Sequence, residues 1–264
     1  MYPMLNIAVR AARKGGSIII QNYDTHKHLI EHKNHYKDNI INKIIQTTYN
    51  TMIDVIHKVY PNHFIYTKKY YNIFKENSIT WIINPLDGIN NFEKQFPHFC
   101  LSIAVIIKNR TEISVIYDPL KNELFTAIKG QGAQLNGYRM RCSNIHTLEN
   151  SKIGINFLMN KQYKTKNYFK IVELLLENDI HLISSGSTVL DLAYLASGRL
   201  DGVFNFYLEP RNILSGELQI RESGGIVSEI TGGCYDYLHS KSLVTGNSKF
   251  LRVILSKIRN KNNM

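Results

Sequence analysis

Trp81-Ile82-Ile83-Asn84-Pro85-Leu86-Asp87-Gly88-Ile89-Asn90-Asn91-Phe92 decides how this chain is read. It begins as an apolar strand and runs into a turn that should carry two carboxylates three residues apart. Such a pair at a strand end holds divalent cations against a phosphate. Asp87 stands at the second of those positions, but Asn84 stands at the first. Half of the pair is an amide, so the segment poses a choice between a working enzyme and the scaffold of one.

The rest of the chain bounds that choice. Its 264 residues, 44% of them hydrophobic, suffice for one large domain or two intimately packed halves. A formal charge of +11, with 32 Lys and Arg against 21 Asp and Glu, favours polyanionic partners such as nucleic acid. Lys, Asn, Ile and Tyr are abundant throughout, so compositional drift explains the excess equally well. Cys100, Cys142 and Cys234 are odd in number and form no CxxC pair, which points to a reducing compartment and excludes a disulfide framework. The start, Met1-Tyr2-Pro3-Met4-Leu5, is not a signal peptide, and no apolar run approaches the roughly 20 residues of a spanning helix. A cytoplasmic protein without a membrane partner is expected.

Periodicity predicts an amphipathic helix over 4–23, a helix over 46–59 and a short strand at Phe64-Ile65-Tyr66. Residues 26–44 are polar and basic. Within them His28-Leu29-Ile30-Glu31-His32 spells H-x-x-E-H, which on a helix would set two histidines on one face for zinc. In a histidine-rich solvated loop the same spelling arises by chance, and the loop is the favoured reading. Strands follow over 99–107, 111–118 and 123–129, punctuated by Lys121-Asn122 and Gly130-Gln131-Gly132. A helix is expected over 166–178, and another after Ser184-Ser185-Gly186-Ser187. A strand over 201–206 precedes Pro210, which should open a helix ending before Gly224-Gly225. The C-terminal stretch 247–260 is a basic helix. The pattern is α/β, a single unit over 1–264 with approximate halves 1–150 and 151–264.

Asn84 to Phe92 resembles the Asp-Pro-Leu-Asp-Gly-Thr-x-Asn-Phe signature of the inositol monophosphatase family. A second signature, Trp-Asp-x-Ala-Ala-Gly followed by Glu-Ala-Gly-Gly, has its counterpart in Arg211-Asn212-Ile213-Leu214-Ser215-Gly216 and Glu222-Ser223-Gly224-Gly225. Pro3 to Lys14, Tyr117 to Phe125 and Gly130 to Arg139 are similar to bacterial members of that family. The resemblance implies a sugar-phosphatase fold of alternating α-β-α-β-α layers. It also implies a Mg2+-dependent, lithium-sensitive inositol-1-phosphate phosphatase, with no zinc site at His28 and His32.

By the same resemblance the metal ligands fall at Lys68 (in Tyr66-Thr67-Lys68-Lys69), Asn84, the Leu86 carbonyl, Asp87 and Asn212. The threonine that positions water is Ile89, and an Asp expected near 42–46 finds only Asn42-Lys43-Ile44-Ile45-Gln46. The substrate positions implied are Asp87, Gly88, Gly186, Ser187 and Asn205, the last in place of a Glu that contacts the inositol ring. With Lys68 and Lys69 at two carboxylate positions, the local charge reverses by about four units, and one unit pair about 4 Å apart is worth about 4 kcal/mol at an effective dielectric near 20. Mg2+ binding is expected to be weak or absent, and the hydrolysis lost. Either lysine could serve Asp87 as a counter-ion, or both could face solvent. Gly88, Asn91, Phe92, Gly216, Glu217, Gly224 and Gly225, by contrast, are retained.

The bacterial resemblance implies a second role, that of a Nus factor. Such a protein is a homodimer that contacts NusA, RNA polymerase and ribosomal RNA. It supports antitermination, chaperones co-transcriptional RNA folding, and so serves ribosome biogenesis. The alternatives are the phosphatase itself and a metal-free binder of phosphorylated ligands using Lys68, Lys69 and backbone amides near Gly186 and Ser187.

Overall fold

A computed structural model describes residues 2–25, 34–66, 78–156, 166–206, 209–236, 240 and 242–262. Helix α1 (Tyr2–Thr25) buries Ala8, Ala11, Ala12, Ile19 and Tyr23 along one face. Helix α2 (Asn34–His57) starts twelve residues before the predicted 46. The reason lies in its stripe: Ile41, Ile44, Thr48, Met52 and Ile56 are all buried at steps of three or four, so helical packing extends through part of a segment read as loop. His28 and His32 lie outside the described residues.

The first sheet has seven strands in chain order. Its strands are β1 (Phe64–Ile65), β2 (Ile79–Asp87), β3 (Cys100–Ile107), β4 (Arg110–Asp118), β5 (Glu123–Ile128), β6 (Gly132–Leu135) and β7 (Tyr138–Arg139). β1 pairs in parallel with β2, and every later pair is antiparallel. A short helix, α3 (Ile89–Glu93), follows β2. The second sheet has the order β11-β12-β10-β8-β9. It is built from β8 (Lys152–Asn156), β9 (His181–Ile183), β10 (Gly202–Phe206), β11 (Ile226–Ser228) and β12 (Ser242–Gly246). Only β10 among these was expected from sequence. The others have three to five residues, too short for a period of two to stand out.

Helices α4 (Lys166–Leu176), α5 (Thr188–Ala196), α6 (Leu214–Glu222) and α7 (Ser248–Asn262) complete the chain. Pro210 does not begin α6. It opens a 3-10 turn over Pro210–Asn212, and Ile213 breaks the helical path with φ −127° before α6 starts at Leu214.

Three buried clusters show the layering. Ala12, Ile19, Ile44 and Met52 pack on Trp81, Ile83, Leu101 and Val115, which sets α1 and α2 on the outer face of the first sheet. Leu192, Leu195, Leu214 and Leu218 pack on Ile82, Ile116 and Phe125 on one side and Val203, Val227 and Leu243 on the other. Helices α5 and α6 therefore fill the space between the sheets. Ile171, Leu175, Ile254 and Ile258 pack on Ile153, Ile155, Phe204 and Val244, so α4 and α7 cover the far face. The order of layers is α-β-α-β-α. Among the described residues no helix is long and apolar enough to cross a membrane.

Candidate functional site

Asn84 and Asp87 are three residues apart, and in a regular strand an odd separation sends side chains to opposite faces. The structure brings them together by an irregularity in β2, not by a turn. Asn84 pairs with Ser102, and Asp87 pairs with Cys100, so two residues of β2 oppose one of β3. This bulge contains Pro85, which has no N–H to give the ladder, and Leu86, which turns outward into the α1–α2 cluster. Asn84 and Asp87 then both face the middle helical layer.

There they meet three other segments. Asn84 Nδ2 donates to Asp87 Oδ1 and to Asn212 Oδ1, each at 3.3 Å. Asp87 Oδ2 accepts the Ser187 hydroxyl at 2.6 Å and the Val189 backbone N–H at 3.0 Å. The carboxylate thus sits on the first turn of α5, where exposed N–H groups and the helix dipole favour negative charge. Burial pushes the Asp87 carboxyl above its ordinary range; the Ser187 and Val189 bonds oppose that, nearby Asp191 adds to it, and Asn84 opposes it.

Gly88 follows Asp87 with φ +82°, and a Cβ there would lie 2.9 Å from the His98 carbonyl. Asn91 also acquires a role. Its Nδ2 donates to the carbonyls of His98 at 2.7 Å and Ser185 at 2.8 Å, pinning the loop that carries Gly186 and Ser187. Gly186, with φ +85°, passes so close that a Cβ would fall 2.8 Å from Asn91 Oδ1. Phe92 anchors α3 edge-on to Phe99, with ring centroids 5.4 Å apart. Ile89 is 39% exposed and offers no hydroxyl to the site.

The structure does not unite every position the sequence nominated. Lys68 and Lys69 lie outside the described residues. Asn205 is fully buried on β10, and neither its Oδ1 nor its Nδ2 has a hydrogen-bond partner among the described residues. Ser187 N–H is already directed to Ser185 Oγ at 3.2 Å. Gln46, from the segment where a water-activating Asp was sought, lines a cleft of about 240 Å3 with Ile45, Tyr49, Tyr66, Ile83, Pro85 and Arg211. That lining holds no carboxylate, and Arg211 is paired with Glu209 at 2.9 Å.

A second buried carboxylate was missed from sequence. Asp191 on α5 accepts Asn156 Nδ2 at 2.6 Å, and its other oxygen is 3.4 Å from His98 Nε2. The signal was available: Val189-Leu190-Asp191-Leu192-Ala193 sets one carboxylate inside an apolar helix, and such a group is buried with partners.

The donor set does not fit Mg2+. That ion takes oxygen ligands in octahedral array and needs negative charge to offset dehydration. Asn84, Asp87 and Asn212 supply one carboxylate, both of whose oxygens already accept hydrogen bonds. Asn84 turns N–H, not oxygen, toward both neighbours. No group of three or more His, Cys, Asp or Glu residues able to hold a metal occurs among the described residues.

The model of the inositol monophosphatase family matches residues 1–263. Nus factor SuhB of Buchnera aphidicola subsp. Baizongia pistaciae is 52% identical over 260 residues, spanning 98% of this chain and 97% of that one. Nus factor SuhB of Escherichia coli K12 is 44% identical over 261 residues, spanning 98% and 97%. The crystal structure of extragenic suppressor protein suhB from Bartonella henselae matches with a TM-score of 0.84 at 27% identity, covering 97% of this chain and 99% of that one.

Proposed function

The chain belongs to the inositol monophosphatase family, and from that premise we propose that it works as a SuhB-type Nus factor with a degenerate phosphatase site. In this reading it is a cytoplasmic homodimer that joins NusA, RNA polymerase and nascent ribosomal RNA, supporting antitermination and RNA folding during ribosome biogenesis.

One observation carries the reading that the chemistry is lost: Asp87, the sole carboxylate of the Asn84–Phe92 segment, is engaged as an acceptor by Ser187, Val189 and Asn84. A phosphatase needs that group free to hold a cation and a water. Residues that shape the scaffold, such as Asn91, Phe92 and Gly186, remain in use. A fold kept intact around an occupied site fits a protein used for its surface. Helix α7 supports the RNA part of the reading. It carries five Lys or Arg and no acid over 15 residues, and Lys249, Arg252, Lys257 and Arg259 are exposed. No ion pair among the described residues involves them.

Two assays test the proposal. Calorimetric titration of the purified chain with NusA should show saturable binding, and phosphate release from inositol 1-phosphate with Mg2+ should stay at background. Turnover at the level of an active family member, or absence of NusA binding, refutes it.

A further inference from the structure

The hydrogen-bond geometry around Asn84 carries a conclusion that holds whichever partner the protein meets. We propose that the Asn84 amide is a built-in substitute for a divalent cation. On this view it is a neutral cross-link that ties the first sheet to both helices of the middle layer and makes the fold independent of metal.

The Asn84 amide has two N–H hydrogens, and both are used. One goes to Asp87 and the other to Asn212, 128 residues further along the chain. Asp87 extends the link to Ser187 and Val189, 100 and 102 residues away, at the start of α5. Asn212 ends the 3-10 turn that leads into α6. The chain Asn212–Asn84–Asp87–Ser187/Val189 therefore connects β2 to the N-terminal ends of α5 and α6 at one point. A cation held by residues 84, 87 and 212 would draw together β2 and the α6 turn in the same way.

The orientation of the amides follows from donor and acceptor inventory. An ionised carboxylate accepts and never donates, so Asp87 compels Asn84 to present its nitrogen. With that nitrogen aimed inward, Asn212 must answer with its carbonyl oxygen. The arrangement tolerates no second charge. A carboxylate at 84 would stand about one hydrogen-bond length from Asp87, and two like charges at that distance require a proton or a cation between them. Asn and Asp at position 84 are thus alternative solutions: the amide closes the site without metal, and the ionised acid closes it only with a cation.

Thermal unfolding of the full chain in chelator and in millimolar Mg2+ tests this. The unaltered protein should melt at the same temperature in both. Asn84→Asp should melt about 4 °C or more lower in chelator and recover in Mg2+, whereas Asn84→Ala should be lowered in both. Marked stabilisation of the unaltered protein by Mg2+ overturns the proposal, as does an Asn84→Asp variant unaffected by chelator. Should Asn84→Asp not fold, the cycle of Asn84→Ala, Asn212→Ala and the double variant decides by urea titration. Non-additive losses support a shared link, and additive losses refute it. None of these readouts involves NusA or RNA, so they fail or succeed separately from the Nus-factor reading.

Discussion

Removing the Ser187 hydroxyl isolates the largest single polar contribution at the site. Ser187→Ala deletes a 2.6 Å hydrogen bond to a carboxylate that has almost no access to water. Bonds of this charge-assisted kind are worth about 1.5–3 kcal/mol. Ser187 stands at the N-cap position of α5 yet makes no capping bond to that helix, so the loss comes from Asp87 and not from the cap. For a chain of this size the deficit corresponds to a melting temperature lower by about 3–6 °C near neutral pH.

The deficit should depend on pH in a definite direction. Burial, the largest influence, holds the Asp87 carboxyl above its ordinary value, and the Ser187 bond partly offsets this. A carboxyl raised in the folded state favours folding most fully when protonated, and that contribution is lost as pH rises through the folded pKa. Without Ser187 the carboxyl rises further. The gap between variant and parent should therefore be widest at neutral pH and narrow as pH falls toward the ordinary Asp range. Calorimetric melting of both proteins across that range provides the check. A gap that stays constant with pH, or its absence at neutral pH, would refute the assignment of Ser187 as the carboxylate's main donor.

Three further outcomes are expected. Gly216→Ala should lower stability by about 1–2 kcal/mol in urea titration: its Cβ would lie 2.5 Å from Leu192 Cβ, and overpacking outweighs the gain in helix propensity. Replacing Lys249, Arg252, Lys257 and Arg259 by Glu should weaken binding to single-stranded RNA, and flatten the salt dependence of log Kd by about 0.7 for each phosphate no longer neutralised. Of the three cysteines, only exposed Cys234 should react quickly with a thiol reagent in the native state. Burial pushes the Cys100 and Cys142 thiols up, and both should react at full rate only after denaturation.

Much of the architecture was legible in the chain. Trp81, Ile82 and Ile83 announce a buried strand because apolar residues on both sides need cover on both faces, and β2 has helices on each side. The stripe through Ala8, Ala11 and Ala12 announces α1 for a similar reason. The short strands β8, β9, β11 and β12 were not legible, because three to five residues do not establish a period. The bulge in β2 had a sign in Pro85, but its consequence did not. Which face Asp87 turns to depends on how β3 pairs with the strand, and that partner lies more than a dozen residues away.

The sequence by itself determined the layered α/β fold, the kinship, and the presence of amides, not acids, at positions 84 and 212. Those are matters of residue type and spacing, and they survive any rearrangement of side chains. Only the tertiary structure decided what the changed residues do. Asn84, Asp87, Ser187 and Asn212 lie up to 128 residues apart and share no local signal. A hydrogen bond exists only where folding brings donor and acceptor within about 3 Å with the right groups facing. Asp87 is thereby the acceptor that binds β2 to α5, because the bulge turns it toward the Val189 N–H in that helix's first turn.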